Sequence, residues 1–283
     1  MAGPWRHSLF SGRPCSRILT DLGQQLPGST YSGVALDPVH RIWLAQYNGE
    51  IFYGTYNRAG LCTHLGSVPG IPSGTGITPT DVRLDLDLCC WFCAAQSGNS
   101  IYYGTYSPST GQPTHVGHID NLVTSTNGLN GLVLDTDLRR WWAGNDNGSM
   151  IAYGIYDASG VPTQAGTQTV ATSQSQSMMI DIARRHLWSS GAPYVYSYDA
   201  AGLLTATTTP YVDVWRGAID QDRSVAVAAS ADRTRYVLYD VAADGGLIEL
   251  DSLSRSTTLF AFDVDPNFGL ALCSDGHMIS YCA

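Results

Sequence analysis

The chain has 283 residues, of which 44% are hydrophobic and 14% are charged, so it can bury a large core and is not of the disordered class. Its net charge is −9, lysine is absent and the arginines are scattered, which excludes the basic stripe of a nucleic-acid-binding surface. The first residues lack the pattern of a signal peptide, and no apolar run is long enough to span a membrane. We therefore expect a soluble protein of the cytoplasm, or of a larger assembly such as a virion.

The predicted elements begin with an N-terminal extension, residues 1–14, followed by a short strand, Ser16–Leu22. Six copies of one repeat come next. Each copy reads apolar-x-apolar-Asp, a turn, an apolar strand, a second turn rich in Gly, Asn, Asp or Ser, and a third strand that is rich in Tyr. The aspartates that anchor the copies are, in chain order, Asp37, Asp85, Asp135, Asp181, Asp220 and Asp265.

The spacing of these aspartates predicts the fold. They recur every 39 to 50 residues, close to the length of one four-stranded propeller blade. Runs of Val, Ile, Tyr and Trp alternate with turn residues, and no segment has helical periodicity. We predict an all-β, six-bladed β-propeller with four-stranded antiparallel blades over residues 15–283. The aspartates are expected to cap turns, and Trp43, Trp91 and Trp141 to pack between blades.

The two ends of the repeat predict how the ring closes. Blades one to five continue past the Tyr-rich strand into a fourth strand, such as Leu61–Leu65, whereas the sixth copy has three. Ser16–Leu22 supplies the missing strand, because this pairing removes an exposed sheet edge. Cys15 and Cys282 would then flank the same seam. A disulfide between them is a candidate, although a reducing compartment would oppose it.

The loops that lead into the innermost strands are polar and nearly uncharged. In a propeller these loops share one face around the central channel, where ligands usually bind. A ring of hydroxyls and amides there can bind a protein partner, a glycan or a small polar ligand, or it can be solvated loop. The residues predicted for this ligand-binding face are Tyr31, Ser32, Asn130, Trp215 and Arg216.

Four charged residues on the predicted innermost strands can reach the channel, namely Asp81, Arg83, Arg216 and Asp263. Two charges of each sign favour ion pairs along the channel wall, because buried charges persist mainly when they are paired. The alternative is a site for Ca²⁺ or another divalent cation, with Asn130, Asp81 and Asp146 as its oxygen ligands.

The blade pattern resembles the six-bladed propellers of the gluconolactonase/regucalcin-like, NHL and YWTD group, over nearly the whole chain but at the level of the blade. The segment Asn130–Asp135 is similar to the Asn-Gly segment in which the lactonases place a metal-binding Asn. The resemblance therefore implies that Asn130 is a metal ligand. Those enzymes also have a Glu where the first inner strand begins, and this chain has Tyr31–Gly33 there.

Two functions remain open from the sequence. The main expectation is a non-catalytic binding or assembly module that presents a polar loop face around the channel, because no nucleophile elbow, phosphate loop or zinc-protease motif occurs. The alternative is a metal-dependent lactonase or ester hydrolase, in which a cation in the channel polarises a carbonyl group and activates water. The sequence assigns no catalytic residue in either case.

Overall fold

The computed structural model of the chain describes residues 19–26, 31–47, 50–68, 79–124, 128–145, 149–170, 178–189, 194–210, 214–230, 232–254 and 262–281. The predicted extension at residues 1–14 lies outside these ranges. So do Cys15 and Cys282, the pair of the candidate disulfide, and Asp146, the third candidate metal ligand. Among the described residues, no helix has the length and apolarity to cross a membrane.

Within these ranges the chain forms 24 strands and one short 3₁₀ helix, Ser97–Asn99. The strands are β1 Leu19–Gln24, β2 Gly33–Asp37, β3 Ile42–Tyr47, β4 Glu50–Tyr56, β5 Cys62–Val68, β6 Pro79–Asp85, β7 Cys90–Ala95, β8 Ser100–Tyr106, β9 Pro113–Ile119, β10 Leu129–Asp135, β11 Arg140–Asn145, β12 Met150–Tyr156, β13 Pro162–Thr169, β14 Met178–Asp181, β15 His186–Ser189, β16 Tyr194–Tyr198, β17 Leu204–Pro210, β18 Val214–Asp220, β19 Val225–Ser230, β20 Arg235–Val241, β21 Leu247–Ser254, β22 Phe262–Asp265, β23 Leu270–Cys273 and β24 His277–Tyr281.

These strands form six four-stranded antiparallel sheets, and the predicted six-bladed propeller is confirmed. Blades 1 to 5 each contain four consecutive strands, from β2–β5 in blade 1 to β18–β21 in blade 5. Blade 6 combines β22, β23 and β24 with β1 as its outermost strand. Leu19 pairs with Tyr281, so the N-terminal strand closes the ring as predicted. Its described bounds are Leu19–Gln24, in place of the predicted Ser16–Leu22.

Hydrophobic side chains of neighbouring blades form a buried cluster at each blade interface. Trp43, Trp91 and Trp141 are fully buried in these clusters, as predicted. A Cβ atom at Gly104 would lie 2.7 Å from the Trp91 ring and 2.0 Å from the carbonyl oxygen of Thr114. The glycine of the repeated Tyr-Gly-x-Tyr segment is therefore needed so that the tryptophan can pack against the third strand of its own blade.

The repeated aspartates cap turns, as predicted, and they also join neighbouring blades. In blade 2, Oδ1 of Asp85 accepts a hydrogen bond from the backbone N–H of Leu88 at 3.0 Å. Its Oδ2 accepts from the hydroxyl of Tyr156 in blade 3 at 2.9 Å. Tyrosines of the next blade bind four more of these aspartates in the same way, namely Asp37, Asp135, Asp220 and Asp265.

In blade 4 an arginine takes the place of this tyrosine. The carboxylate of Asp181 binds Arg184 of its own turn at 2.6 Å, and Val241 ends the third strand of blade 5, where the other blades have tyrosine. We call the carboxylate–tyrosine contacts between blades the latches. They join the end of the innermost strand in five blades to the third strand of the next blade.

Candidate functional site

Arg216 crosses the central channel near the start of the innermost strands. Its Nη1 donates to the carbonyl oxygens of Ser32 and Thr80 at 3.0 and 2.8 Å. Its Nη2 donates to the carbonyl oxygen and to Oδ1 of Asn130 at 2.6 and 2.9 Å. The side chain thereby joins blade 5 to blades 1, 2 and 3, and only 3% of it is exposed. The fork of five N–H donors on a guanidinium suits this set of acceptors.

β-Bulges at the start of three innermost strands place these groups in the channel. The pairing of β6 with β7 skips Thr80, and the pairing of β10 with β11 skips Asn130. The pairing of β18 with β19 shifts between Val214 and Gly217, the interval that contains Arg216. A bulged residue is left out of the ladder, so its carbonyl and side chain can turn toward another partner. Arg216 then binds the carbonyl groups that the ladders of β6 and β10 leave unused.

A second arginine lies further along the channel, toward the turns that join the first and second strands. Nε of Arg83 donates to the carbonyl oxygen of Leu132 at 3.0 Å, and Nη1 donates to that of Phe262 at 3.1 Å. Its Nη2 forms the predicted ion pair with Asp81, at 3.2 Å from Oδ2. Arg83 therefore connects blades 2, 3 and 6, and its guanidinium is held by three fixed acceptors.

Asp263 lies beside this guanidinium, on the innermost strand of blade 6. Its Oδ2 accepts from the backbone N–H of Leu36 at 2.7 Å, and its Oδ1 from that of Val264 at 3.0 Å. The pKa of Asp263 is raised to about 6, because burial and, to a smaller extent, the charge of Asp81 outweigh the lowering effects of Arg83 and of the two N–H groups. A carboxyl group with a pKa near neutrality can both accept and donate a proton at physiological pH.

A cavity of about 370 Å³ occupies the rest of the channel. Arg83 and Asp263 line its inner end, next to the crossing arginine. Its mouth lies among the turns between the first and second strands, and the turn residues Asp87, Thr136 and Asp222 line it. The volume lies within the range of small-molecule sites, so the cavity can hold a compact ligand whose polar end meets the two charged groups.

A ring of six branched aliphatic side chains lies between the charged end of the cavity and its mouth. We call this ring the aliphatic collar. Each member is the residue just before a repeated aspartate, so the propeller brings the six to the same height of the channel. The collar consists of Leu36, Leu84, Leu134, Ile180, Ile219 and Val264. The same side chains also pack in the hydrophobic clusters between blades. The apolar-x-apolar-Asp pattern contains these positions, but it does not show that they border the channel.

The structure brings together three of the five residues predicted for the ligand-binding face, namely Ser32, Asn130 and Arg216. They bind one another instead of presenting an open polar rim. The cavity is lined at its mouth by turns that join the first and second strands, at the opposite end of these strands from Ser32, Asn130 and Arg216.

The two aromatic residues predicted for that face are engaged in packing. Tyr31 is 2% exposed, and its ring lies edge-on to those of Tyr47 and Phe52, with centroids 6.0 Å apart in each case. Burial, with a smaller effect of Tyr47, raises the pKa of Tyr31 to about 12. Trp215 is half-buried, and the guanidinium of Arg233 lies 3.4 Å from the centroid of its ring.

Asn130 and Asp81, the two described residues of the candidate cation site, do not fit a divalent metal. Oδ1 of Asn130 faces the positive charge of Arg216, and Oδ2 of Asp81 accepts from Arg83 and from the N–H of Leu132, both at 3.2 Å. Oδ1 of Asp81 is buried without a hydrogen-bond partner, but Ca²⁺ takes six to eight oxygen ligands. In the part of the chain that the structure describes, no three His, Cys, Asp or Glu residues are grouped so as to hold a metal ion.

The chain matches no protein-family model and no curated protein. Solved propellers have the same fold. A Lactobacillus plantarum protein is 15% identical with a TM-score of 0.62, and the match covers 88% of this chain and 79% of that one. The periplasmic gluconolactonase of Pseudomonas aeruginosa is 14% identical, with a TM-score of 0.62 and coverage of 86% and 77%. A putative 6-phosphogluconolactonase of Bacteroides uniformis is 13% identical, with a TM-score of 0.61 and the same coverage.

At these identities the likeness establishes the propeller fold. It also corrects the main functional expectation, because the two neighbours above that carry a functional name are a gluconolactonase and a putative 6-phosphogluconolactonase. The prediction of a non-catalytic binding or assembly module was wrong, and a role in a virion finds no support. Motifs that are continuous in sequence do not reveal groups that only the fold brings together. Arg83 and Asp263 line one cavity, although they come from blades 2 and 6.

Proposed function

We propose that the protein is a hydrolase of lactones or related esters and that the cavity in the central channel is its active site. One observation carries this proposal: a carboxyl group, Asp263, and a guanidinium, Arg83, line the same end of a small-molecule cavity. The names of the gluconolactonase and of the putative 6-phosphogluconolactonase support the reaction class.

In the proposed reaction, Asp263 acts as the general base. Its carboxylate accepts a proton from a water molecule while the water oxygen attacks the carbonyl carbon of the lactone. The bond between this carbon and the ring oxygen then breaks, and Asp263 returns the proton to the departing alkoxide. One water molecule is consumed and one hydroxy acid is formed. A base with a pKa near 6 is largely deprotonated at pH 7 and can still give the proton back.

Arg83 stabilises the negative charge that develops on the carbonyl oxygen. Three of its N–H groups are bound by Leu132, Phe262 and Asp81, and a guanidinium carries five. The three bonds fix the orientation of the group, so its charge is in place before the substrate arrives. Preorganised donors of this kind contribute a large part of the rate in acyl transfer. The proposed steps use no metal ion, since Arg216 and Arg83 engage Asn130 and Asp81, the two described candidate ligands.

The test is hydrolysis by the full-length protein of a panel of lactones and esters, followed by acid release with a pH indicator. Asp263→Asn keeps the shape and one accepting oxygen, for the N–H of Leu36 or of Val264, but it loses the base. Removal of a general base lowers kcat by about 10²–10⁴-fold. Asp137→Asn is the matched control, because Asp137 is exposed on a turn near the mouth, does not line the cavity, and its substitution changes charge equally. We expect the control to keep kcat within about twofold, since Asp137 has no contact with the cavity.

Activity is expected to persist in EDTA, since the reaction uses no metal. If no lactone or ester in the panel is hydrolysed above the buffer rate, or if Asp263→Asn retains full activity, the proposal is refuted. Loss of activity in EDTA would restore the metal-dependent alternative and would place its ligands outside the residues discussed above.

A further inference from the structure

We infer that the substrate carries an unbranched apolar chain beside its lactone or ester group, and that the aliphatic collar selects it over a polyhydroxylated sugar lactone. This inference rests on the proposed function. It concerns the wall of the channel, whereas the reaction above concerns the inner end.

The collar makes this selection because its side chains offer no hydrogen-bonding group. Leu36, Leu84, Leu134, Ile180, Ile219 and Val264 surround the channel on all six blades. A sugar lactone carries a hydroxyl on most ring carbons, and each hydroxyl that loses water without gaining a partner weakens binding. A methylene group in the same place gains from leaving water. The wall thus favours a ligand with an apolar chain, whereas the names of the structural neighbours suggest a sugar lactone.

The layers of the channel set the orientation of such a ligand. Arg83 and Asp263 lie one residue further in than the collar on their strands, so a carbonyl group between them sits just inside the ring. Strand residues advance by about 3.3 Å each, and the turn residues at the mouth lie two or three residues beyond the collar. The apolar chain would therefore pass through the collar and reach the mouth beside Thr136.

The experiment compares δ-gluconolactone with γ-lactones that carry unbranched alkyl chains of two, four and six carbons. A buried methylene contributes about 0.8 kcal/mol, which corresponds to about fourfold in kcat/KM. We expect kcat/KM to rise by about that factor per methylene until the chain reaches the mouth, and the sugar lactone to be the poorest substrate. In parallel, calorimetric titration with 2-alkylcyclopentanones of the same chain lengths measures binding without reaction.

Two variants on one turn locate the effect. Thr136→Trp places a large ring at the mouth of the cavity, whereas Asp137 is exposed on the same turn and does not line the cavity, so Asp137→Trp is the matched control. We expect Thr136→Trp to abolish the gain with chain length in both assays, and Asp137→Trp to leave it unchanged.

The outcomes separate the inference from the proposed function. Hydrolysis of gluconolactone as fast as of the alkyl lactones would overturn the inference and leave the hydrolase in place. Ketone affinity that rises with chain length and falls in Thr136→Trp, without turnover of any lactone, would refute the hydrolase and support the apolar ligand class. Affinity that does not depend on chain length would overturn the inference whatever the activity.

Discussion

The latches between blades allow a quantitative test, and Tyr156→Phe is the most informative perturbation. The hydroxyl of Tyr156 donates to Oδ2 of Asp85 at 2.9 Å, and the aspartate is 1% exposed. A hydrogen bond to a charged group contributes about 1.5–3 kcal/mol. Phenylalanine fills the same space, so the cost is that of leaving a buried carboxylate oxygen without its donor. We expect a loss of about 2–3 kcal/mol in the free energy of unfolding.

Tyr281→Phe is the matched control for this prediction. Tyr281 donates to Oδ2 of Asp220 at 3.0 Å, but the same oxygen also binds Arg223 at 2.6 Å. After the substitution the oxygen keeps a charged donor, so only about 1 kcal/mol should be lost, the net contribution of an ordinary hydrogen bond.

The assay is urea unfolding at pH 7, monitored by tryptophan fluorescence. Both variants should shift the midpoint without a change in slope, because the surface exposed on unfolding stays the same. Equal losses for the two variants would refute the reasoning, because the second donor to Asp220 would then make no difference. A loss below about 0.5 kcal/mol for Tyr156→Phe would also refute it, because the latch would then contribute almost nothing to stability.

Three further predictions concern packing, alkaline stability and catalysis. Gly104→Ala should lower stability by several kcal/mol and far more than an exposed Gly→Ala change, because the new methyl group meets the backbone at Thr114, and the same urea assay measures this. Burial, followed by the neighbouring carboxylate, raises the pKa of Tyr156 above its ordinary value of 10. The contribution of the Tyr156 hydroxyl to the stability of the folded protein is therefore fully present below pH 10 and is lost as the pH rises above 10. The difference in melting temperature between wild type and Tyr156→Phe should shrink above pH 10. Because Asp263 acts as a base, kcat/KM should rise as the pH increases through about 6, and a profile that falls over this range would exclude the assigned role.

Much of the fold could be predicted from the sequence because the relevant physics is local. The alternation of apolar residues, the turn residues after each aspartate and the period of the repeat all act within about 50 residues, and they specify a four-stranded blade. The number of repeats and the missing fourth strand of the last one then required closure by the N-terminal strand. For the same reason the burial of the tryptophans and the turn-capping role of the aspartates could be predicted.

The third strand of blade 5 shows where local pattern was insufficient. This strand, β20, runs from Arg235 to Val241, and its tyrosines are Tyr236 and Tyr239. The tyrosine of the latch is replaced there by Val241, so the repeat could not be aligned by its most visible residue. The latch was missed as a contact between blades, because its carboxylate and its hydroxyl lie about 60 to 70 residues apart along the chain in four cases and 209 apart in the fifth.

The sequence by itself determined the blades, their number and the closure of the ring, because each of these follows from patterns that repeat along the chain. The tertiary structure alone decided which charged groups share the channel. Bulges at Thr80 and Asn130 direct their carbonyls to Arg216, and the ring brings Asp263 of blade 6 beside Arg83 of blade 2. Contacts of this kind depend on which strand ends meet at the axis, and no local pattern carries that information.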